Sequence, residues 1–231
     1  MQRLDKYLSE AGVGSRKELK ALIKAGKVTV NGVTVRDEGC KLDETTADVT
    51  VNGSPVVPFH TITVMLHKPQ GYVTAAEDAK ERTVMELLPE EVRQMKVMPV
   101  GRLDKATEGL LLFTNDGDLA HRLISPKHEV RKVYYAEHEG IASDADICAF
   151  SEGLTLGDGT LCRPAKLEII APGKCYVTVT EGKYHQVRRM LASRGLPVSY
   201  LRREKEGGLS LGDLPLGAWR ALTESEIDIL L

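Results

Sequence analysis

The spacing of apolar positions shifts along this chain between helical and alternating, and those shifts outline its elements. Leu4, Tyr7, Leu8 and Ala11 recur at helical intervals until Gly12 to Gly14 interrupt them, which predicts a first short helix. Ser15 stands three residues before Glu18, the spacing of a capping box, and Leu19, Leu22 and Ile23 continue as the apolar stripe of a second helix that Gly26 stops. Val28-Thr29-Val30 and Val33-Thr34-Val35 then alternate around Asn31-Gly32, a dipeptide suited to a tight hairpin. A similar piece, Val49 to Gly53, recurs before Pro55 and Pro58, and this proline-bearing stretch is expected to divide residues 1–58 from residues 59–231.

Beyond it the pattern is one of many short strands with interspersed helices. Strands are predicted over Thr61 to His67, Gly109 to Thr114, Val130 to Ala136, Lys166 to Ile170 and Cys175 to Thr180. Helices are predicted at Val84 to Leu88 behind Thr83 and Glu86, at Asp118 to Ile124, at Asp144 to Phe150, at His185 to Arg194, and after Thr223 with Glu226. Connections such as that from Thr114 to Val130 are too short for regular crossovers throughout, so a mixed, mainly antiparallel sheet flanked by helices is expected, an α+β fold.

Composition narrows the function classes. With 231 residues, 42% hydrophobic and 28% charged, the chain can bury one sizeable core and a small second one. The longest apolar run, Leu110 to Phe113, falls far short of the roughly 18 residues of a membrane span. The segment Met1 to Tyr7 lacks the apolar stretch of a secretory signal, so a soluble, cytoplasmic, membrane-independent protein is expected. Cys40, Cys148, Cys162 and Cys175 form no C-x-x-C pair, and the six histidines include no H-E-x-x-H; neither a metal site nor a cofactor is expected. The formal net charge of -2 conceals segregation: residues 1–41 carry nine Lys or Arg against five Asp or Glu, and residues 181–205 carry seven against two. Local basic clusters attract a polyanion whatever the total charge.

One loop stands out chemically. Gly101 to Leu110 is polar and lies between the apolar runs Val97 to Val100 and Leu110 to Phe113, which holds Asp104 between two buried strands. By itself this fits a simple turn made by Asp104 with Thr107, and Asp104 with Glu108 is weak evidence for paired-carboxylate glycosidase chemistry.

Longer motifs carry a resemblance. Arg3 to Leu8 (R-L-D-K-Y-L), Ser15 to Glu18 (S-R-K-E) and Gly26 to Gly32 (G-K-V-T-V-N-G) resemble the S4 RNA-binding domain. Gly101 to Gly117, G-R-L-D-x-x-T-x-G-L-L-L-x-T-N-D-G, resembles the catalytic motif of the RNA pseudouridine synthases. Lys68-Pro69-Gln70-Gly71, Lys132-Val133-Tyr134 and Glu181 to Met190 (E-G-x-x-H-Q-V-R-R-M) match further family segments in the family's order. Met65 to Val73 and His121 to His128 lean toward the RsuA-type branch, which modifies small-subunit ribosomal RNA.

The resemblance implies isomerisation of one uridine in 16S ribosomal RNA without a cofactor, with Asp104 catalytic. Arg188 is implied as its basic partner, Tyr134 as the residue that stacks on the flipped uracil, and Arg102 as the filler of the space the base leaves. Arg3, Arg16, Lys17, Lys20, Lys27 and Arg189 are implied RNA contacts. Because side chains alternate along a strand, Tyr134 and Tyr135 should point to opposite faces. A monomer acting on a small-subunit assembly intermediate is expected. The alternatives are a synthase for 23S ribosomal RNA, a non-enzymatic S4-type assembly protein, and a nucleoside hydrolase or glycosylase, which would release free base.

Overall fold

The computed structural model describes residues 1–44, 46–56 and 61–231. The chain divides into two compact units, Met1–His60 and Thr61–Leu231. The boundary expected after Pro58 lies outside the described residues.

In the first unit, strand β1 (Gln2–Arg3) leads into helices α1 (Leu4–Glu10) and α2 (Arg16–Lys24), followed by strands β2 (Val28–Val30), β3 (Val33–Val35), β4 (Lys41–Leu42), β5 (Val49–Val51) and β6 (Ser54–Pro55). The Ser15–Glu18 capping box forms as its spacing predicts, satisfying donors at the start of α2. Asn31 and Gly32 both take positive φ, 50° and 78°, the conformation a two-residue hairpin turn between β2 and β3 requires. Leu4, Tyr7, Leu8, Leu19 and Ile23 from the helices meet Val28, Leu42 and Val49 in one core. Each such side chain contributes about 2 kcal/mol when fully buried.

The second unit contains β7 (Thr63–Lys68), a 3-10 turn (Val84–Leu87), α3 (Glu90–Gln94), β8 (Met98–Val100), β9 (Glu108–Thr114), α4 (Gly117–Ile124), β10 (Lys132–His138) and α5 (Asp144–Glu152). It continues with β11 (Lys166–Ala171), β12 (Lys174–Val179), α6 (Gln186–Ser193), β13 (Val198–Glu206), β14 (Leu209–Ser210), β15 (Trp219–Ala221) and α7 (Glu224–Asp228). The main sheet runs β11-β12-β10-β13-β9-β7-β15, with β14 on β13 and β8 on β9. Every pairing is antiparallel except β9 with β13, so the sheet is mixed and mainly antiparallel as expected.

Strands β7 and β9 are buried on both faces, which explains their unbroken apolar runs. Met65, Leu110 and Leu112 face one core with Leu119 and Leu123 of α4, while Val64, Leu66, Leu111 and Phe113 face another with Val84, Leu88 and Leu103. Ala136, Leu167, Val177 and Leu201 pack a third core with Phe150 of α5 and Met190 of α6.

Two expectations are corrected. The segment expected as a helix at Val84 to Leu88 is a 3-10 turn, though Thr83 and Glu86 cap it as predicted. The nine-residue β13 has no counterpart in the predicted elements, because its charged stretch Arg202 to Glu206 shows no clean alternation. A shift of register against β10 between Val133 and Tyr134 changes which residues face inward.

Candidate active site

The Gly101–Leu110 loop emerges from β8 and returns into β9. Leu103 is buried in the core, and its backbone is clamped by Thr74, whose hydroxyl donates to the Leu103 carbonyl at 2.7 Å and accepts from its amide at 3.1 Å. The Thr107 amide donates to the Asp104 carbonyl at 3.0 Å. The loop therefore turns through its backbone, and the Asp104 carboxylate is left to line an open cavity with Arg102, Tyr134 and His185.

Lys68, at the end of β7, holds the loop from beneath. Its side chain is fully buried, and Nζ donates to the carbonyls of Pro69 (3.0 Å), Asp104 (3.1 Å) and Thr107 (2.9 Å), with Lys105 at 3.5 Å. Burial pulls the ammonium down to about 8, with Asp104 and Glu108 opposing that shift. The K-P-x-G motif marked this position; nothing in its spacing showed that the lysine gathers the carbonyls of a loop some 36 to 39 residues further on.

The opposite wall begins at Glu181, whose carboxylate accepts from Gln186 Nε2 at 2.7 Å, while Gln186 Oε1 accepts from the Lys183 amide at 2.9 Å. These bonds close a turn in which His185 adopts a left-handed φ of 48° and α6 starts at Gln186, one residue later than expected. His185 Nε2 lies 3.4 Å from Asp104 Oδ1, and its ring stacks on Tyr184 with centroids 4.0 Å apart. Sequence reasoning passed over His185, although it lies within the matched E-G-x-x-H-Q-V-R-R-M segment.

Among the described residues Arg188, the implied basic partner of Asp104, makes no hydrogen bond to its carboxylate. Arg188 Nη2 instead donates to the Ala106 carbonyl at 2.9 Å and Nη1 to the Val198 carbonyl at 3.3 Å, so the guanidinium buttresses the loop from behind. Burial pulls the pKa of the Arg188 guanidinium below its usual range, and the charge of Asp104 opposes that shift. Tyr134 lines the cavity, whereas Tyr135 sits on the other face of β10 in edge contact with Tyr176 and Tyr200. Arg102 is exposed at the rim.

Of the expected RNA contacts, Arg16, Lys17 and Lys27 are exposed, Arg3 pairs with Asp5 at 2.8 Å, and Lys20 pairs with Glu38 at 3.0 Å. Arg189 is engaged by Asp158 at 2.5 Å and by the Tyr184 carbonyl at 3.2 Å. Among the described residues no group of three or more His, Cys, Asp or Glu is arranged to hold a metal ion, and no helix is long and apolar enough to cross a membrane.

The clamped Gly101–Leu110 loop thus brings Asp104 to a cavity that Tyr134 of the mixed sheet also lines. Residues 62–193 match the family model for RNA pseudouridylate synthase and residues 2–46 match the S4 domain, so the chain belongs to the RNA pseudouridylate synthase family and is a pseudouridine synthase. It is 45% identical to an uncharacterized RNA pseudouridine synthase of Bacillus subtilis, covering 99% of this chain and 98% of that one. It is 40% identical to ribosomal small subunit pseudouridine synthase A of Escherichia coli (97% and 98% covered). It is 38% identical to ribosomal large subunit pseudouridine synthase B of Bacillus subtilis (98% and 94%). A crystal structure of a pseudouridylate synthase matches over the whole of both chains with a TM-score of 0.71 and 33% identity.

Proposed function

We propose that this enzyme isomerises one uridine of small-subunit ribosomal RNA, taking the base out of its stack into the cavity between Asp104 and Tyr134. The observation that carries this reading is the Asp104 carboxylate, which its own loop does not use and which faces the cavity that Tyr134 lines. The reaction breaks the bond from N1 to C1′ and joins C1′ to C5; hydrogen leaves C5 and N1 gains one, so composition is unchanged. An ionised Asp104 acts on the ribose as nucleophile or base, roles closed to a protonated acid.

A base in folded RNA must be extruded to reach this loop. Tyr134 supplies the stacking surface, worth about 1 to 3 kcal/mol per base. Arg102, planar and cationic at the rim, fills the space the base vacates. Arg188, through its bond to the Ala106 carbonyl, holds the loop that presents Asp104 and places a cation behind it. The S4 unit supplies affinity through Arg16, Lys17, Lys20 and Lys27. The substrate is a partly assembled small-subunit particle, and the enzyme acts as a cytoplasmic monomer.

Asp104→Asn tests the chemistry. Single-turnover release of tritium from RNA labelled at uridine C5 should fall by about 10⁴-fold, while filter binding of the same RNA holds. Activity within a few-fold of the native enzyme places the chemistry elsewhere. Relatives acting on both subunits are similar to this chain, and the assignment to the small subunit rests on the strings Met65 to Val73 and His121 to His128. Carbodiimide mapping of both subunits' RNA from a deletion strain tests it; loss of a pseudouridine from large-subunit RNA alone refutes it.

A further inference from the structure

Beneath Tyr134 the second unit buries an ion pair for which stability offers no reason. Arg203 and Glu206 of β13 are 1% and 2% exposed, with Nη2 3.2 Å from Oε2. Lys132 Nζ lies 3.7 Å from the other Glu206 oxygen, and Arg203 Nε donates to the Leu110 carbonyl at 2.7 Å.

In a regular strand, residues three apart face opposite sides. Here the register pairs Lys132 with Glu206 but Tyr134 with Arg203, so an extra residue is accommodated on β13. That bulge turns Arg203 and Glu206 to the face shared by Lys132 and Tyr134. Bulges of this kind re-aim side chains beside functional sites.

Taking two charges out of water costs several kcal/mol per ion, and apolar residues of similar volume often serve stability as well or better. What the pair does provide is geometry. Arg203 stands opposite Tyr134 across β10 and β13 while its Nε holds the Leu110 carbonyl just beyond the Asp104 loop. At the same point β13 runs parallel to β9, pairing Arg203 with Gly109. Gly109 has a φ of 111°, and a Cβ there would lie 2.3 Å from the Arg203 carbonyl oxygen, an approach only glycine permits. One residue thus touches both the strand that carries the stacking surface and the strand that ends the catalytic loop.

We propose that Arg203, oriented by Glu206 and Lys132, is a positioning residue for the isomerisation, holding the Tyr134 ring in register with the Asp104 carboxylate. This rests on the roles given above to Tyr134 and Asp104. Arg203 does not touch the RNA; its effect passes through Tyr134 and the β9 backbone.

The test is a cycle between Arg203→Met/Glu206→Gln, which leaves Lys132 a hydrogen-bond partner, and Tyr134→Phe, which keeps the ring and removes the hydroxyl. The substrate is ribosomal particles of both subunits from cells lacking the gene, labelled with tritium at uridine C5. The Arg203/Glu206 variant should unfold cooperatively and bind RNA within about threefold of the native enzyme, because affinity rests on phosphate contacts elsewhere. Its single-turnover rate should fall by about 100-fold, the scale of an ångström of misplacement. In the Tyr134→Phe background the further fall should be much smaller, since both changes disable one unit. A folded variant with the native rate overturns the proposal, as does full additivity with Tyr134→Phe. If the variant does not fold, Arg203→Lys keeps the charge but not the planar fork, and the same readouts decide. Asp104→Asn is run alongside: activity surviving there refutes the reading of the site, whereas its loss beside fully active Arg203 variants refutes the positioning role alone.

Discussion

Residues 1–41 and residues 181–205 are both rich in positive charge, and the structure uses the two stretches in opposite ways. On α2, at 100° per residue, Arg16, Lys17, Lys20 and Lys24 fall within about 100° of arc, beside but apart from the buried Leu19 and Ile23. All four cations are exposed, and Lys27 is exposed just beyond the helix. In the later stretch Arg188 holds carbonyls, Arg189 holds Asp158, Arg194 holds Asp146, Arg202 holds Glu204, and Arg203 is buried against Glu206. In the structure these arginines are each engaged by a partner within the second unit, whereas Arg16, Lys17 and Lys27 of the first stretch are exposed. Counting charge along a chain registers its amount, whereas the element that carries it decides where it points.

The comparison predicts that charge removed from the later stretch alters rate, and charge removed from the first alters affinity. The largest effect is expected for Arg188→Met, which takes away the buttress of the Ala106 carbonyl and the positive charge felt by Asp104. Single-turnover isomerisation should slow by about 100-fold or more with RNA binding retained. Equal losses of rate and affinity would show that Arg188 contacts RNA directly and would break the contrast.

Next in size is the combined variant Arg16→Ala, Lys17→Ala, Lys27→Ala. Each lost phosphate contact should lower the slope of log affinity against log salt by about 0.9 and weaken binding at moderate salt, with the rate at saturating enzyme unchanged. Salt titrations of filter binding measure this directly. An unchanged slope would remove these residues from the RNA interface.

What the sequence made legible and what it hid follow the same physics. Local devices were readable: the capping boxes at Ser15 with Glu18 and Thr223 with Glu226, the Asn31-Gly32 turn, and the motif loop around Asp104 depend on neighbours a few residues away. The position of Tyr134 on the cavity side and Tyr135 on the other follows from strand alternation. Buried charge was not readable. Lys68 ends an apolar strand, and its partners are carbonyls of a distant loop. Arg203 and Glu206 look like a solvated charge run, and only the bulge against β10 turns them inward. His185 was missed because its nearness to Asp104 depends on a left-handed turn closed by Glu181 and Gln186.

Lys68 carries the third prediction. Lys68→Met leaves buried carbonyls without their donor and should destabilise the second unit by about 1 to 3 kcal/mol at neutral pH. The pKa of Lys68 in the folded chain, about 8, lies below the ordinary lysine value, so the folded state binds fewer protons than the unfolded one between about pH 8 and 10. Burying the charged form is fully unfavourable below that window and is relieved as pH rises through it. The native protein should gain stability relative to Lys68→Met from pH 8 to 10 in denaturant titrations. A gap that narrows over this range would mean that the loop requires the charged ammonium.

The smallest effect sets a lysine of the first stretch against an arginine of the second, although both are ion-paired. Lys20 and Glu38 meet at 3.0 Å with side chains 53% and 35% exposed, and a pair so open to water is worth under about 1 kcal/mol and yields readily to another anion. Arg194 and Asp146 meet at 2.8 Å with the aspartate 7% exposed, and the same carboxylate caps α5 by accepting from the Ser143 amide and hydroxyl. Lys20→Ala should leave the thermal midpoint almost unmoved while lowering the salt slope of RNA binding by about 0.9, as one phosphate contact is lost. Arg194→Ala should do the reverse, costing about 1 to 3 kcal/mol of stability by leaving a mostly buried carboxylate short of a partner, with the salt slope unchanged. Thermal unfolding and salt-dependent binding of the two variants measure both quantities. A fall in salt slope for Arg194→Ala, or a marked loss of stability for Lys20→Ala, would erase the distinction between cations offered to the substrate and cations retained by the fold.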